Sequence, residues 1–199
     1  MDERFPDPFA GQSAWTPRPP RGIVPVPAAS AASLRGKRVI TGLPGFGWRA
    51  DLRADNKVVQ GSRTYVPVIP EQEWYRAEAE RIEVFAPLVP AERVWVEEVG
   101  EMVGDPGPGH VAPRLVSLDT PPTRPPIPVS SAGSVTGRRV VRMIEGAEQR
   151  DLRAVTEAYT SADGDICVRV ARELDWYRWA WSGQPPKSLE VPVHELWVE

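Results

Sequence analysis

Cysteine is almost absent from this 199-residue chain, with Cys167 the only one. A disulfide framework and any multi-cysteine zinc site are thereby excluded. Histidine is nearly as scarce, with His110 and His194 alone. A catalytic thiol at Cys167 would need a base, and no Ser-His-Asp set can be assembled from two histidines. Cys167 therefore reads as a small apolar strand residue. The carboxylates Glu145, Glu148 and Asp151 read as a solvated acidic loop, no metal-ligand spacing is present, and neither a metal nor a cofactor is expected. No run of about 18 apolar residues is available to span a membrane, and the Met-Asp-Glu-Arg-Phe-Pro opening does not read as a signal peptide. The expectation is a cytoplasmic protein with no membrane partner. Positive charge is not in excess either: 24 Lys and Arg against 27 Asp and Glu leave a net charge of -3, which makes a nucleic-acid partner unexpected.

What the chain has in abundance is proline, 23 residues, which argues against a helical bundle because proline removes a backbone donor and breaks helices. The distribution becomes clear once the chain is compared with itself. Residues 65–97 match residues 167–199 without a gap at 11 of 33 positions. The matches include Trp74-Tyr75-Arg76 with Trp176-Tyr177-Arg178 and Trp95-Val96-Glu97 with Trp197-Val198-Glu199. Upstream, Gly36-Lys37-Arg38-Val39 matches Gly137-Arg138-Arg139-Val140, and Asp51-Leu52-Arg53 matches Asp151-Leu152-Arg153. The recurring Asp and Arg read as a loop staple. These features give a proline-rich arm over 1–33, largely extended or disordered, a first repeat over 34–98, a proline-rich linker over 99–133 and a second repeat over 134–199. Fifteen of the 23 prolines fall in the arm and linker. Pro25-Val26 and Pro128-Val129 stand at nearly the same distance before the two repeats, so the duplicated unit can include part of each arm.

Short segments rich in Val, Tyr and Trp, separated by Gly, Pro, Asp and Asn, make each repeat read as all-β. The expected strands of the second repeat are 138–143, 166–172, 176–181, 189–193 and 196–199, with a long loop over 144–165. The stretch 42–47, Gly-Leu-Pro-Gly-Phe-Gly, reads as a turn, since it lacks the Lys-Ser/Thr of a phosphate loop. Residues 71–83 have helical propensity, but their counterpart carries three tryptophans followed by Gly183, Pro185 and Pro186, and both copies are read as strand. Period-2 alternation then sets Tyr75 and Tyr177 inward and Trp74 and Trp176 outward, beside Arg76 and Arg178. An outward tryptophan on a small barrel is a candidate partner surface.

About 60 residues with a long first loop, an aromatic doublet in a central strand and a proline, short turn, aromatic-Val-Glu ending resemble a Src-homology-3-like barrel. The resemblance implies two such barrels in tandem, with a shallow groove at Trp74 and Trp176 walled by Pro90, Pro192, Trp95 and Trp197. The function it implies is a non-enzymatic protein- or peptide-binding module, an adaptor or assembly component. The proline stretches at 17–21 and 121–126 are of the kind that docks in aromatic grooves, so the arms are candidate partners for the chain's own barrels. Two alternatives stay open: a nucleic-acid or nucleoprotein-associated barrel that stacks bases on its aromatics, and an enzyme of unrecognised type. The oligomeric state is not legible.

Overall fold

The structure is a computed structural model that describes residues 19–100, 118–119 and 121–199. The chain is mostly β, folded as two curled half-barrel sheets in tandem. The first barrel runs β1 (Gly22–Pro27), β2 (Arg38–Leu43), β3 (Gly47–Ala54), β4 (Val58–Gln60), β5 (Arg63–Pro70), α1 (Glu71–Glu80), β6 (Leu88–Pro90) and β7 (Val94–Gly100). The second repeats it as β8 (Ile127–Pro128), β9 (Arg139–Ile144), β10 (Ala147–Ala154), β11 (Tyr159–Thr160), β12 (Ile166–Arg172), α2 (Glu173–Ser182), β13 (Ser188–Pro192) and β14 (Leu196–Val198). In the first sheet the order is β1-β7-β2-β3-β5-β4 with β6 on β5, and the second follows the same plan. Among the described residues no helix is long and apolar enough to cross a membrane.

Each barrel closes over its own core. Leu34, Val39, Val66, Val94 and Val96 fill the first, and Val135, Val140, Val168, Val191 and Leu196 fill the second. The strand valines, such as Val94 and Val96 or Val168 and Val170, sit at alternate positions and face inward, as half-buried strands require.

Three sequence readings are corrected. Residues 71–80 and 173–182 are helices, not strands. Glu71 and Glu73, like Glu173 and Asp175, occupy the first turn, where carboxylates favour the positive helix end. Gly183, with φ 69°, is the left-handed residue that ends α2, and the two prolines beyond it are stop signals. In the sequence alone the same residues read as evidence for a strand.

The supposed loop over 144–165 contains β10 and β11, entered through a tight turn at Glu145 and Gly146 with positive φ at both. Finally, the ends of the arm and linker belong to the barrels. β1 pairs with β7 over six positions and β8 pairs with β14. Pro27 therefore corresponds to Pro128, each nine residues before its turn glycine, Gly36 or Gly137. Within the stretch 42–47, residues 44–46 form the turn between β2 and β3, where Phe46 N–H donates to the Leu43 carbonyl at 3.0 Å.

Candidate functional site

Helix geometry puts residues i and i+4 on one face, so Glu71 lies beside Tyr75, and Glu173 beside Tyr177. In each helix this face turns toward the other barrel. Tyr75 and Tyr177 stack with ring centroids 5.3 Å apart. Around the pair, equivalent residues exchange contacts. The Tyr75 hydroxyl donates to Glu173 and the Tyr177 hydroxyl to Glu71, both at 2.9 Å. Arg53 reaches Glu173 at 3.1 Å, and Arg153 reaches Glu71 at 3.0 Å. Each of these arginines is also held at home: Arg53 donates to the Gly36 carbonyl at 2.9 Å and Arg153 to the Gly137 carbonyl at 2.8 Å. Gly36 and Gly137 have φ of 74° and 77°, so the turn that presents those carbonyls calls for glycine.

A second ring of charge surrounds the first. Asp51 and Asp151 sit at β-bulges in β3 and β10 with φ of 56° and 61°, a conformation aspartate tolerates better than most residues. The bulge aims each carboxylate across the junction. Asp151 takes a hydrogen bond from Arg38 at 2.7 Å, while Asp51 meets Arg153 at 2.9 Å and Arg139 at 3.4 Å. Arg139 also donates to Glu97 at 2.8 Å, and Arg38 lies 3.9 Å from Glu199. Arg38 further contacts both Glu71 and Glu173, and Arg124 contacts Glu97. The recurring Asp thus belong to the seam between the barrels, while the recurring Arg serve both the seam and the turn of their own barrel.

Glu71 and Glu173 are each 1% exposed. Burial pushes the Glu173 carboxyl up, but Arg38, Arg153 and the Tyr75 hydroxyl outweigh it and hold the group below its ordinary range. Asp51 is likewise held low, against its burial, by Arg139 and Arg153. Burial first, then Glu173 and Glu71 respectively, raises the Tyr75 and Tyr177 phenols, which stay neutral donors. Carboxylates lowered on folding stabilise fully above their unfolded pKa and lose that contribution as pH falls through the folded one. Glu148, bound by Arg21 and Arg150, is lowered to about 2 despite its burial. Urea-unfolding free energy should therefore hold steady from pH 7 to about 5 and then fall progressively toward pH 2. A flat profile down to pH 2.5 would refute the ionic seam.

The residues singled out in the sequence do not converge on one groove. Trp95 and Trp197 are 7% and 5% exposed and offer no ligand face; Trp95 packs edge-on against Trp48 at 5.1 Å. Trp74 and Trp176 are half-buried, laid against the turns at Gly36 and Gly137, and Arg153 lies 5.1 Å above the Trp176 ring. Arg76 pairs along its own helix with Glu80 at 3.0 Å, while Arg178 is exposed. Pro90 and Pro192 start the short 3-10 turns before β7 and β14. Cys167 is buried, and burial followed by Glu190 raises its thiol. Glu145, Glu148 and Asp151 do not form one acidic loop, because Glu148 and Asp151 are engaged by arginines. His110 and residues 17–18 lie outside the described residues.

One outer surface differs sharply between the repeats. In the second barrel the sheet β11-β12-β13 carries Tyr159, Arg169 and Glu190. Tyr159 donates to Glu190 and accepts from Arg169 at 3.3 Å. The sheet registers make Val58, Pro67 and Leu88 the equivalents in the first barrel. With Tyr65 and Pro90, which share their face by strand register, they form an apolar strip across β4, β5 and β6. Val58 and Leu88 are exposed, and Phe85 just before β6 is 87% exposed.

A cleft of about 1120 Å³ lies at the junction of the barrels, lined by Arg21, Val99, Met143, Glu148, Arg150 and Asp151. Its charges are satisfied internally, since Glu148 bridges Arg21 and Arg150, and Arg38 holds Asp151. No family model, curated protein or solved structure matches this chain.

Proposed function

We propose that the chain is a non-enzymatic protein-binding module, an adaptor or assembly component, in which the two barrels act as one body and the partner docks on the outer sheet of the first. The observation that carries this reading is the apolar strip of Val58, Tyr65, Pro67, Leu88 and Pro90, where the sister barrel closes the same surface with the Tyr159, Arg169 and Glu190 network. One fold built twice supplies its own control. The polar version keeps the sheet covered, so the apolar version is not a demand of folding. A contiguous apolar patch on a surface marks an interaction site. Buried side chains of both barrels hold the seam, so the strip is presented on a fixed frame rather than on a module swinging from a linker. Rigid presentation lowers the ordering cost of binding.

The test exchanges the surface for its sister. Val58→Tyr, Pro67→Arg and Leu88→Glu together install the second barrel's residues at the same register. The variant should fold with an unchanged circular dichroism spectrum. A partner captured by the wild type from the source lysate and then purified should bind the variant at least tenfold more weakly, about 1.4 kcal/mol, in a calorimetric titration. Equal binding by the two proteins overturns the assignment of this face.

A further inference from the structure

We propose that the second barrel carries a separate binding cavity for a carboxylate-bearing ligand with a short apolar body. The cavity measures about 330 Å³ and lies between β9, β10, β12 and β13, within the size range of small-ligand sites. Leu152, Val170 and Leu189 give it an apolar lining, and Arg142, Arg172 and Lys187 bring three cations to it. Among the described residues, Asp175 is the one carboxylate that lines it. Arg142 is engaged by Glu195 at 2.7 Å. Arg172 and Lys187 have no ion-pair partner among the described residues, and both are exposed. Two uncommitted cations at the mouth of an apolar hollow are an arrangement for an anion whose body is hydrophobic.

The first barrel shows that the fold does not require these charges. By sheet register Thr41 stands where Arg142 does, and Pro70 where Arg172 does. The ungapped repeat places Phe85 opposite Lys187. All three cations are therefore replaced by uncharged residues in a barrel with the same strand plan. The chemistry of the pair suits a carboxylate. A guanidinium offers a planar fork that matches carboxylate geometry, and an ammonium adds a mobile point charge beside it. An alkyl or aryl group then covers Leu189, which is 60% exposed, and removes its apolar surface from water. The carboxylate can come from a free small molecule or from an acidic residue of a peptide.

An NMR titration of the isotope-labelled full chain tests the cavity, with benzoate, the neutral isostere benzamide and the blocked dipeptide acetyl-Leu-Glu-amide as probes. Benzoate or the dipeptide should shift the amides of residues 170–172 and 188–189 saturably, at least tenfold more tightly than benzamide. Arg172→Gln with Lys187→Gln should weaken that binding at least tenfold while leaving the thermal midpoint unchanged, because both side chains are exposed. Tighter binding of the dipeptide than of benzoate assigns the site to a peptide, and the reverse assigns it to a small molecule. The proposal is overturned if neither carboxylate gives saturable shifts at these amides, if benzamide binds as tightly, or if the double variant binds unchanged. Because the cavity and the apolar strip lie on different barrels, the outcome leaves the proposed function of the strip to its own test.

Discussion

Replacing Glu173 with glutamine should lower the unfolding free energy by about 3 to 5 kcal/mol, because removing one partner of a buried ion cluster leaves the others uncompensated. Glu173 takes Arg38, Arg53, Arg153 and the Tyr75 hydroxyl. The amide has the same shape but no charge, and its NH2 group would meet guanidinium groups that can only donate. Glu71→Gln should cost a similar amount, since Glu71 takes Arg38, Arg53, Arg153 and the Tyr177 hydroxyl. The double variant should lose less than the two single losses added, because the same three arginines serve both carboxylates. Glu80→Gln, which breaks only the exposed Arg76 pair, should change stability by less than about 0.5 kcal/mol. Urea denaturation followed by tryptophan fluorescence gives all four values. A Glu173→Gln effect as small as that of Glu80→Gln would show that the seam holds nothing together.

The seam also explains which repeated residues had a purpose beyond the barrel. A junction around a pseudo-two-fold axis needs the same residue in both copies, and six pairs satisfy this: Arg38 with Arg139, Asp51 with Asp151, Arg53 with Arg153, Glu71 with Glu173, Tyr75 with Tyr177, and Glu97 with Glu199. The repeat displayed every one of them. Within an isolated barrel, the aspartates that recur before the core residues Leu52 and Leu152 have no partner to fix them; across a seam they do. That signal is open to reading in the sequence, but the repeat alone does not say whether the two copies pack against each other. The apolar strip was less legible, because naming it requires knowing that β4 and β6 flank β5 on opposite edges, which follows from long-range pairing and not from local pattern.

The helix was misread for a local reason. Tryptophan and tyrosine favour strands, so Trp176, Trp179 and Trp181 outweighed the helix formers that surround them. The first copy, with Glu and Ala at most positions after Tyr75, carried the truer signal. Strand Ile166–Arg172, by contrast, was read to the residue. Val168 and Val170 face the core while Cys167 and Ala171 are buried on the opposite face, leaving Ile166, Arg169 and Arg172 exposed, and this run of β-branched and small apolar residues reads as a strand from its composition.

The prolines of β1 make it read as arm in the sequence, and its register shows why they are tolerated. Ile23, Pro25 and Pro27 alternate along an edge strand, and all three direct their backbone nitrogens away from β7. Ile23 N–H shows this direction, donating to the Arg124 carbonyl at 3.3 Å rather than to β7. Proline has no hydrogen to donate there, and an edge strand leaves that side unpaired. Exchanging Gly22–Pro27 for Gly-Ser-Gly-Ser-Gly-Ser, in the otherwise complete chain, should therefore cost about 3 to 5 kcal/mol, combining the burial of an isoleucine with the loss of an ordered edge. Ile23 is buried beside the bridge to Arg124, and β1 lies alongside Trp95 and Val96 of the core-lining strand. Fluorescence should report the change directly, since uncovering β7 exposes the Trp48 and Trp95 pair to water and shifts emission to the red. A thermal midpoint within about two degrees of the parent, where 1 kcal/mol is worth about 2 to 4 degrees in a chain of this size, would mean that the first barrel begins at residue 34 after all and that β1 merely rests against it.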